Sequence, residues 1–145
     1  MTAQSILIVE DSDDDYEVTQ AALKKEGQIV NQIYRAENGK DALSFLRDPQ
    51  NNRENDRPGI ILLDLNLPGM DGRSVLMHIK SDPKLREIPV VVLTTSEDER
   101  DVKDCYEAGA NTYICKPVSI DGFFTAIKCL KSYWLEIAVL PKDKS

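Results

Sequence analysis

The clearest pattern in the 145-residue chain is a run of four apolar residues, 60–63, that ends at Asp64. A short, unbroken apolar run is typical of a strand that is buried on both faces of a parallel sheet. Pro68, Gly69 and Gly72 follow within a few residues and are expected to end the strand. Asp64 is therefore predicted at the carboxyl end of a central strand, which is the edge where open α/β sheets bind ligands.

Similar segments recur and alternate with segments of helical periodicity. Strands are predicted at residues 5–9, 29–36, 60–63, 89–96 and 111–117. Helices are predicted at residues 17–26, 37–46, 72–81, 97–108 and 119–134. Gly27 and Gly109 are expected to stop the first and fourth helices, and Ser96 with Glu99 has the spacing of a capping box for the fourth. This alternation predicts an α/β fold, a doubly wound parallel sheet with helices on both faces.

Composition excludes several classes of protein. The length of 145 residues suits one domain over residues 1–145, with a core at 5–134 and a short tail at 135–145, and 41% apolar with 30% charged residues predicts a chain that folds. No stretch approaches the roughly 20 apolar residues of a membrane span, and no basic segment precedes the first apolar run. The net charge of -7 argues against nucleic acid as a partner.

The three cysteines, Cys105, Cys115 and Cys129, lack the paired spacing of a metal cluster. They are interpreted as reduced thiols of a cytoplasmic protein, with a disulfide between two of them as the alternative. Residues 48–59 form a polar, turn-rich stretch that is longer than most connections. This stretch is either a tolerated insertion or a loop that contacts a partner, and both interpretations stay open.

Chemically useful side chains stand at the ends of four predicted strands. Glu10 and Asp11 follow the first strand, Asp64 the third, Thr94 ends the fourth and Lys116 lies near the end of the fifth. These strand ends share one edge of a parallel sheet, and neighbouring first, third and fourth strands would bring their terminal side chains together. Three crowded carboxylates repel one another unless a cation joins them. A hard divalent cation is therefore predicted, and Mg²⁺ suits a site with few carboxylates and several waters.

The same arrangement predicts phosphoryl chemistry. The backbone carbonyl of Asn66, just past Asp64, is a further candidate ligand for the metal. Carboxylates form acyl phosphates as nucleophiles, and phosphoryl transfer depends on in-line positioning and neutralised oxygens. Mg²⁺, Lys116 and the Thr94 hydroxyl would each hold one phosphoryl oxygen. Asp64 is the predicted nucleophile because it ends the central strand, between the metal-binding acids and Lys116.

Four motifs in order resemble those of response-regulator receiver domains of two-component signalling. They are IVEDSDDD for the acidic pair, LLDLNLPGMDG for the phosphoacceptor, VVVLTTS for the switch hydroxyl and YICKP for the lysine. The resemblance covers about residues 5–134. It implies a flavodoxin-like (CheY-like) fold with strand order 2-1-3-4-5 and five helices, in which the bond corresponding to Lys116–Pro117 is usually cis.

The resemblance also implies a role for each matching residue. A histidine kinase would donate the phosphoryl group, and the receiver would catalyse its own phosphorylation and slow dephosphorylation without belonging to an enzyme class. The implied roles are Asp64 as phosphoacceptor, Asp11, Asp64 and the Asn66 carbonyl as Mg²⁺ ligands, Glu10 as a ligand through water, Lys116 as the phosphoryl-binding cation, and Thr94 with Tyr113 as the switch pair.

A finer resemblance comes from the segment YWLEIAVLP at residues 133–141, from the long loop before the third strand and from the missing output domain. Together these features are similar to those of the small regulators paired with cyanobacterial phytochromes. The resemblance implies that the kinase is a phytochrome-type photoreceptor.

Several candidate residues also have simpler interpretations. Asp64 can be interpreted as an ordinary strand-end cap, and Tyr113 as an ordinary strand residue. The acids at 13–15 exceed what a metal site needs and are expected to favour the N-terminus of the first helix. His78, the only histidine, falls on a helix flank, so it is predicted to be a surface residue and the donor histidine is expected on another protein.

Asn66 and Ser96 each lie two residues beyond a site residue, Asp64 and Thr94. Both are small and uncharged, and both positions would flank the path of water that attacks an acyl phosphate. They are predicted to tune dephosphorylation, and the alternative is that they are simply polar loop residues.

The last predicted helix carries more apolar residues than a helix with one solvent-exposed face needs. Its first stripe comprises Ile120, Phe123, Phe124, Ile127, Leu130 and Trp134, and its second comprises Ala126, Cys129, Tyr133 and Ile137. A surface helix needs only one stripe, and an exposed apolar patch usually marks an interface. A homodimer through the last helix and tail is therefore predicted, with contributions from the fourth helix or fifth strand and with Phe123, Ile127, Leu130, Tyr133, Trp134 and Ile137 at the interface. Alternatively, the tail covers the second stripe within one copy.

Two other functions stay open. A phosphatase of the haloacid-dehalogenase kind also uses an aspartate nucleophile, Mg²⁺ and a lysine, but the segment DLNLP lacks the second acid of that family's DxD motif, and no capping domain is evident. The other is a receiver-like interaction module that no longer takes phosphate, and the complete set of site residues argues against it.

Overall fold

Strands and helices alternate along the part of the chain that the computed structural model describes, namely residues 5–26, 31–48, 50, 57–117 and 119–137. In chain order they are β1 (Ile6–Val9), α1 (Asp13–Ala21), β2 (Ile33–Ala36), α2 (Gly39–Arg47), β3 (Ile60–Leu63), α3 (Gly72–Ser81), β4 (Val90–Thr94), α4 (Glu99–Glu107), β5 (Thr112–Cys115) and α5 (Ile120–Lys131). π-Helical turns at Ala22–Glu26 and Ser132–Ile137 extend α1 and α5.

The five strands form one parallel sheet in the order β2-β1-β3-β4-β5. Every residue of β1, β3 and β4 is buried, as expected for central strands covered by helices on both faces. Alternate residues of β3 enter different cores: Ile61 and Leu63 pack with α2 and α3, whereas Ile60 and Leu62 pack with α5. The predicted fold class and strand order are confirmed.

Each helix begins at a side chain that accepts a hydrogen bond from its first turn. These residues are Ser12, Asn38, Asp71, Asp98 and Ser119. The capping box predicted from Ser96 and Glu99 is therefore wrong, because the Asp98 carboxylate accepts from the Arg100 N–H instead. The Ser96 hydroxyl lies just outside the helix, where it accepts from the Asp98 N–H and donates to Asp101.

Several predicted boundaries change. α1 begins at Asp13, four residues earlier than predicted, because Ser12 rather than a later residue caps it. The predictions for Gly27, for most of the loop at 48–59 and for residues 138–145 of the tail lie outside the described residues. No peptide bond between described residues is cis, Lys116–Pro117 included, unlike the isomer that the resemblance implies.

Two glycines fit tight positions near the site and at a helix end. A Cβ atom on Gly72 would lie 2.4 Å from the carbonyl oxygen of Asp64, so only glycine lets α3 start against this backbone. Gly109 has a φ of 107° just after α4, as predicted for a helix stop.

The first apolar stripe of α5 packs against the chain's own sheet. Phe123, Ile127 and Leu130 are buried in one core with residues of β1 and β3, Trp134 packs partly against it, and Ile120 is exposed. The prediction that places Phe123, Ile127 and Leu130 at a dimer interface is wrong, because these three side chains fill the space between α5 and the sheet.

The second stripe of α5 is open at the surface. Tyr133 is 55% exposed, Cys129 is exposed and Ala126 is partly exposed. Ile137 lies in the π-helical turn, but its side chain is outside the described part of the chain. An exposed apolar face, on which the dimer prediction depends, is therefore present, but among the described side chains it comprises only Ala126, Cys129 and Tyr133.

The described helices include none that is both long and apolar enough to cross a membrane. The three cysteines are free thiols, as predicted, with Cys105 buried, Cys115 partly buried and Cys129 exposed.

Candidate functional site

The ends of the central strands meet at one edge of the sheet, as the sequence pattern predicts. Backbone bonds fix this edge: the Asp64 N–H donates to the Val9 carbonyl at 3.1 Å, and the Lys116 N–H donates to the Thr94 carbonyl at 2.7 Å. Glu10 is tied in the same way to Ala36, at 3.0 Å. The side chains of Glu10, Asp64, Thr94 and Lys116 therefore start from neighbouring backbone positions.

The ammonium group of Lys116 lies among three carboxylates. Its Nζ donates to Glu10 Oε1 at 2.6 Å, to Asp15 Oδ2 at 2.9 Å and to Asp64 Oδ2 at 3.1 Å. The side chains of Lys116, Glu10 and Asp64 are 6%, 5% and 8% exposed, whereas that of Asp15 is 45% exposed. The site is thus a mostly buried pair of acids around one cation, with a third acid at the solvent side.

Burial and charge act against each other in this cluster. Burial raises the pKa of Glu10 to about 7; the hydrogen bond from Lys116 opposes this rise and the nearby charge of Asp64 adds to it. Burial alone would lower the pKa of Lys116, but its hydrogen bonds with Glu10 and Asp15 and the charge of Asp64 raise it above its ordinary value. Lys116 therefore stays charged and holds the acids together.

The acids that converge differ by one residue from the predicted set. Ligand oxygens of Glu10, Asp15 and Asp64 lie within 4.8 Å of one another, whereas Asp11 is outside this group and exposed. The sequence pattern places Asp15 only near the N-terminus of the first helix, and it does lie in the first turn of α1. The pattern gives no signal for its contact with Lys116, because it predicts a helix that begins after Asp15.

These oxygens fit a hard divalent cation. Carboxylate oxygens are the ligand atoms that Mg²⁺ and Mn²⁺ prefer, and the single ammonium group of Lys116 offsets only one of the three negative charges that these acids can carry. The second oxygen of Asp64, Oδ1, accepts from the Asn66 N–H at 3.0 Å, and the Asn66 side chain is exposed. A metal at this place would meet oxygen donors rather than the nitrogen or sulfur ligands of a zinc site.

Ser96 connects the two predicted switch residues. The hydroxyl of Thr94, which is fully buried, accepts from the Ser96 N–H at 3.4 Å, and the Tyr113 hydroxyl donates to the Ser96 carbonyl at 2.9 Å. Burial raises the pKa of Tyr113, so its hydroxyl remains a donor at neutral pH. The Tyr113 N–H in turn donates to the exposed Tyr106 hydroxyl at 3.1 Å. This chain of contacts leads from the acidic site to the surface of α4.

The side chain of Ser96 belongs to a second network, which links α3 and α4. Its hydroxyl donates to Asp101 at 2.6 Å, and Arg73 joins Asp101 to Asp71, the residue that caps α3. The hydrogen bond from Ser96 and the Arg73 guanidinium keep the pKa of Asp101 below its usual value. Ser96 is therefore more than a polar loop residue, and the sequence did not indicate this network.

His78 is exposed on α3, and its ring nitrogen Nδ1 lies 2.7 Å from the Ser74 carbonyl of the preceding turn. The predicted surface histidine is confirmed.

Comparison with known proteins identifies the arrangement. The response regulator receiver domain family matches residues 6–128. The chain belongs to this family. It is 43% identical over 136 residues to the response regulator Rcp1 of Synechocystis sp., an alignment that covers 94% of this chain and 92% of the relative.

Solved structures give the same result for this receiver. The phosphorylated cyanobacterial phytochrome response regulator RcpA superposes with a TM-score of 0.88 at 39% identity, over 97% of this chain and 99% of that one. The Mn²⁺-bound form of Rcp1 superposes with a TM-score of 0.85 at 42% identity, over 95% and 99% of the two chains. The predicted resemblance to the phytochrome response regulators is thereby confirmed.

Proposed function

We propose that this receiver is a phosphorylation-driven switch that takes a phosphoryl group from a histidine kinase onto Asp64. The observation that carries the proposal is the contact between Lys116 and the Asp64 carboxylate, beside Glu10, at the edge where the central strands end. A buried carboxylate next to a fixed cation is suited to form and hold an acyl phosphate. Relatives that are phytochrome response regulators support a phytochrome-type kinase and a cytoplasmic site of action.

The transfer would proceed in one displacement. A carboxylate oxygen of Asp64 attacks phosphorus, and the bond from phosphorus to the donor's imidazole nitrogen breaks with its electron pair going to the nitrogen. Lys116 donates hydrogen bonds to the transferred group in place of its present bond to Asp64. Release would follow the same course with water: a water oxygen attacks phosphorus, and the bond from phosphorus to the Asp64 oxygen breaks with its electron pair returning to the carboxylate. Inorganic phosphate and a proton then leave.

The residues that would hold Mg²⁺ are Glu10, Asp64 and Asp11, with the Asn66 carbonyl as a fourth donor. Glu10 and Asp64 already lie together, and Asp11 follows Glu10 on the same loop. When bound, Mg²⁺ neutralises phosphoryl oxygens and thereby favours attack by the carboxylate. Phosphorylation would then bias Thr94 and Tyr113 between two arrangements through Ser96.

The direct test is mass spectrometry of the intact protein after incubation with acetyl phosphate and Mg²⁺. We expect the mass of one phosphoryl group to be added, to depend on Mg²⁺ and to disappear with a chelator. Borohydride reduction and peptide mapping should locate the group on Asp64. The absence of any gain, or a gain located elsewhere, would contradict the proposal, and rapid turnover of small phosphoesters would favour the phosphatase instead.

Asn66 and Ser96 are expected to control the lifetime of the acyl phosphate. Asn66→Lys places an ammonium group beside the phosphoryl oxygens and should shield them from water, which lengthens the lifetime severalfold. Asn66→Asp should shorten it, because a carboxylate can accept a proton from the attacking water. Ser96→Asp and Ser96→Lys should change the lifetime less, since the Ser96 hydroxyl is bonded to Asp101. All four variants should still be phosphorylated.

The lifetime is measured from the loss of phosphorylated protein after the donor is removed. Thr125, whose exposed side chain lies on α5, provides a control through Thr125→Lys and Thr125→Asp. Equal rates in the wild type and in both Asn66 variants would refute the role of Asn66.

We propose further that two copies associate through the second stripe of α5 and the tail, with α4 or β5 contributing. The exposed side chains of Tyr133 and Cys129 support this interface, and the Trp134 ring lies 5.3 Å from that of Tyr133. Sedimentation at micromolar concentration, with and without a phosphate mimic, should show a dimer that Tyr133→Glu weakens. Met77→Glu, an equal change at an exposed apolar position of α3, is the control and should leave the dimer intact. Monomers alone under both conditions would contradict the interface.

A further inference from the structure

Arg35 is a partly buried arginine near the end of β2, and it contacts both the loop that joins β1 to α1 and the first turn of α1. Its Nε donates to the Glu10 carbonyl at 3.1 Å, and one terminal nitrogen donates to the Asp11 carbonyl at 3.3 Å. The other terminal nitrogen lies 2.8 Å from the Asp13 carboxylate, and the guanidinium stacks 4.6 Å from the centre of the Tyr16 ring. A single side chain thus contacts four residues of one short segment.

This segment sets where the acids of the site point. The Glu10 side chain reaches Lys116 through Oε1 and accepts from the Ser12 N–H through Oε2. Ser12 then caps α1 by accepting from the Asp15 N–H, and Asp15 also reaches Lys116. The backbone at 10–12 is therefore the common support of two of the acids that surround the ammonium group.

Repulsion among its own carboxylates disfavours the conformation of this segment, so contacts with a cation from elsewhere in the chain are needed to hold it. Five of the six residues at 10–15 are acidic, so the carboxylates that are crowded into this segment repel one another. The planar guanidinium can donate to two adjacent carbonyls at once, whereas an ammonium group has no such fork. Stacking on Tyr16 and the ion pair with Asp13 keep the guanidinium in place for this contact.

We infer that Arg35 is a positioning residue, which holds the carbonyls of Glu10 and Asp11 so that the acidic loop is preformed for a divalent cation. The inference rests on the metal binding in the proposed function. Residues that orient metal ligands without touching the metal typically change affinity by about 10- to 100-fold when they are replaced. We expect an effect near the lower end, about 10-fold, because Lys116 also restrains Glu10.

Two substitutions separate positioning from simple charge. If only the charge of Arg35 mattered, Arg35→Lys would bind the cation as the wild type does, and Arg35→Gln would bind it more tightly because a repelling charge is gone. If Arg35 positions the loop, both variants bind it more weakly. The two explanations therefore predict opposite changes for Arg35→Gln.

The experiment is a titration with Mn²⁺ alone, in which electron paramagnetic resonance measures the free ion. Arg47→Lys and Arg47→Gln are the matched controls, since Arg47 makes a surface ion pair with Asp82 at 3.8 Å, on α2. We expect Mn²⁺ affinity about 10-fold weaker in both Arg35 variants and unchanged in both controls. Urea unfolding of the same samples shows whether each variant is folded during the titration.

The outcomes are distinguishable. Wild-type affinity in folded Arg35→Lys, or tighter binding by Arg35→Gln, overturns the positioning role and leaves the proposed function intact. Lower stability with unchanged Mn²⁺ affinity shows that Arg35 only stabilises the fold, which also overturns it. If the wild type itself does not bind Mn²⁺, the metal part of the proposed function fails, and the inference fails with it.

Discussion

Asp64→Asn is expected to abolish the gain of a phosphoryl group from acetyl phosphate, while the domain stays folded. The amide nitrogen and oxygen of asparagine are poor nucleophiles compared with a carboxylate, so no acyl phosphate can form at this position. Glu10 and Asp15 keep their carboxylates, but Glu10 follows β1 and Asp15 lies in α1, so neither stands at the end of the central strand β3 as Asp64 does. No other acid of the cluster is therefore placed to take over as acceptor.

The fold should tolerate this substitution because most contacts of Asp64 survive it. The side-chain oxygen of asparagine can still accept from the Asn66 N–H, and Lys116 keeps its bonds to Glu10 and Asp15. The repulsion between Asp64 and Glu10 disappears, which offsets the loss of one ion pair with Lys116. The free energy of unfolding should change by about 1 kcal/mol, as for the loss of one hydrogen bond.

Intact mass after exposure to acetyl phosphate and Mg²⁺ measures the effect, and urea unfolding verifies the fold. Asp14→Asn is the matched control, because Asp14 is an exposed acid next to Asp15, in the acidic run at 13–15. It should gain the phosphoryl group as the wild type does. If Asp64→Asn gains as much mass as Asp14→Asn, then Asp64 is not the acceptor.

The sequence predicted the positions at the strand ends because apolar runs report directly on buried parallel strands. Each of the three central runs is fully buried, and the residues that follow them lie at one edge. Backbone pairing places Asp64 and Lys116 at the same edge of the sheet, but β4 lies between β3 and β5. Their contact therefore also needs the long Lys116 side chain to reach across the end of β4.

Residues on helices near the site were harder to predict. The direction of a helical side chain depends on the residue at which the helix begins. Three consecutive acids at 13–15 do not indicate which of them is the first residue of α1. With the start at Asp13, Asp15 turns toward Lys116. The role of Ser96 was missed for a similar reason, because α4 starts two residues later than a cap at Ser96 would require.

The two stripes of α5 show a different limit. Periodicity indicated that the helix has two apolar faces, but it contains no information on which face meets the sheet. The sheet buries the face of Phe123, Ile127 and Leu130 and leaves Tyr133 at the surface. Only the packing of the helix on the sheet makes this distinction. It removes three of the six predicted interface residues, Phe123, Ile127 and Leu130, from the surface.

Lys116→Met is expected to destabilise the metal-free protein by about 3 kcal/mol, as for removal of one partner from a buried ion pair. Glu10 and Asp64 are both almost fully buried and would face each other without a cation. Methionine fills the space of the aliphatic chain, so the loss reflects charge rather than a cavity. Lys116→Arg, which keeps the charge, is the control and should lose much less stability.

Added Mg²⁺ should restore much of the stability that Lys116→Met loses. It should also stabilise this variant more than it stabilises the wild type. The ammonium group now occupies the carboxylate oxygens that a divalent cation would use, so its removal should tighten cation binding. A ligand that binds only the folded state stabilises it by an amount that grows with the logarithm of the ratio of ligand concentration to dissociation constant. Tighter binding therefore gives more stabilisation at the same Mg²⁺ concentration. Urea unfolding of the three proteins over a range of Mg²⁺ concentrations measures both effects. Equal stabilisation of wild type and Lys116→Met would show that the ammonium group and the cation do not share this site.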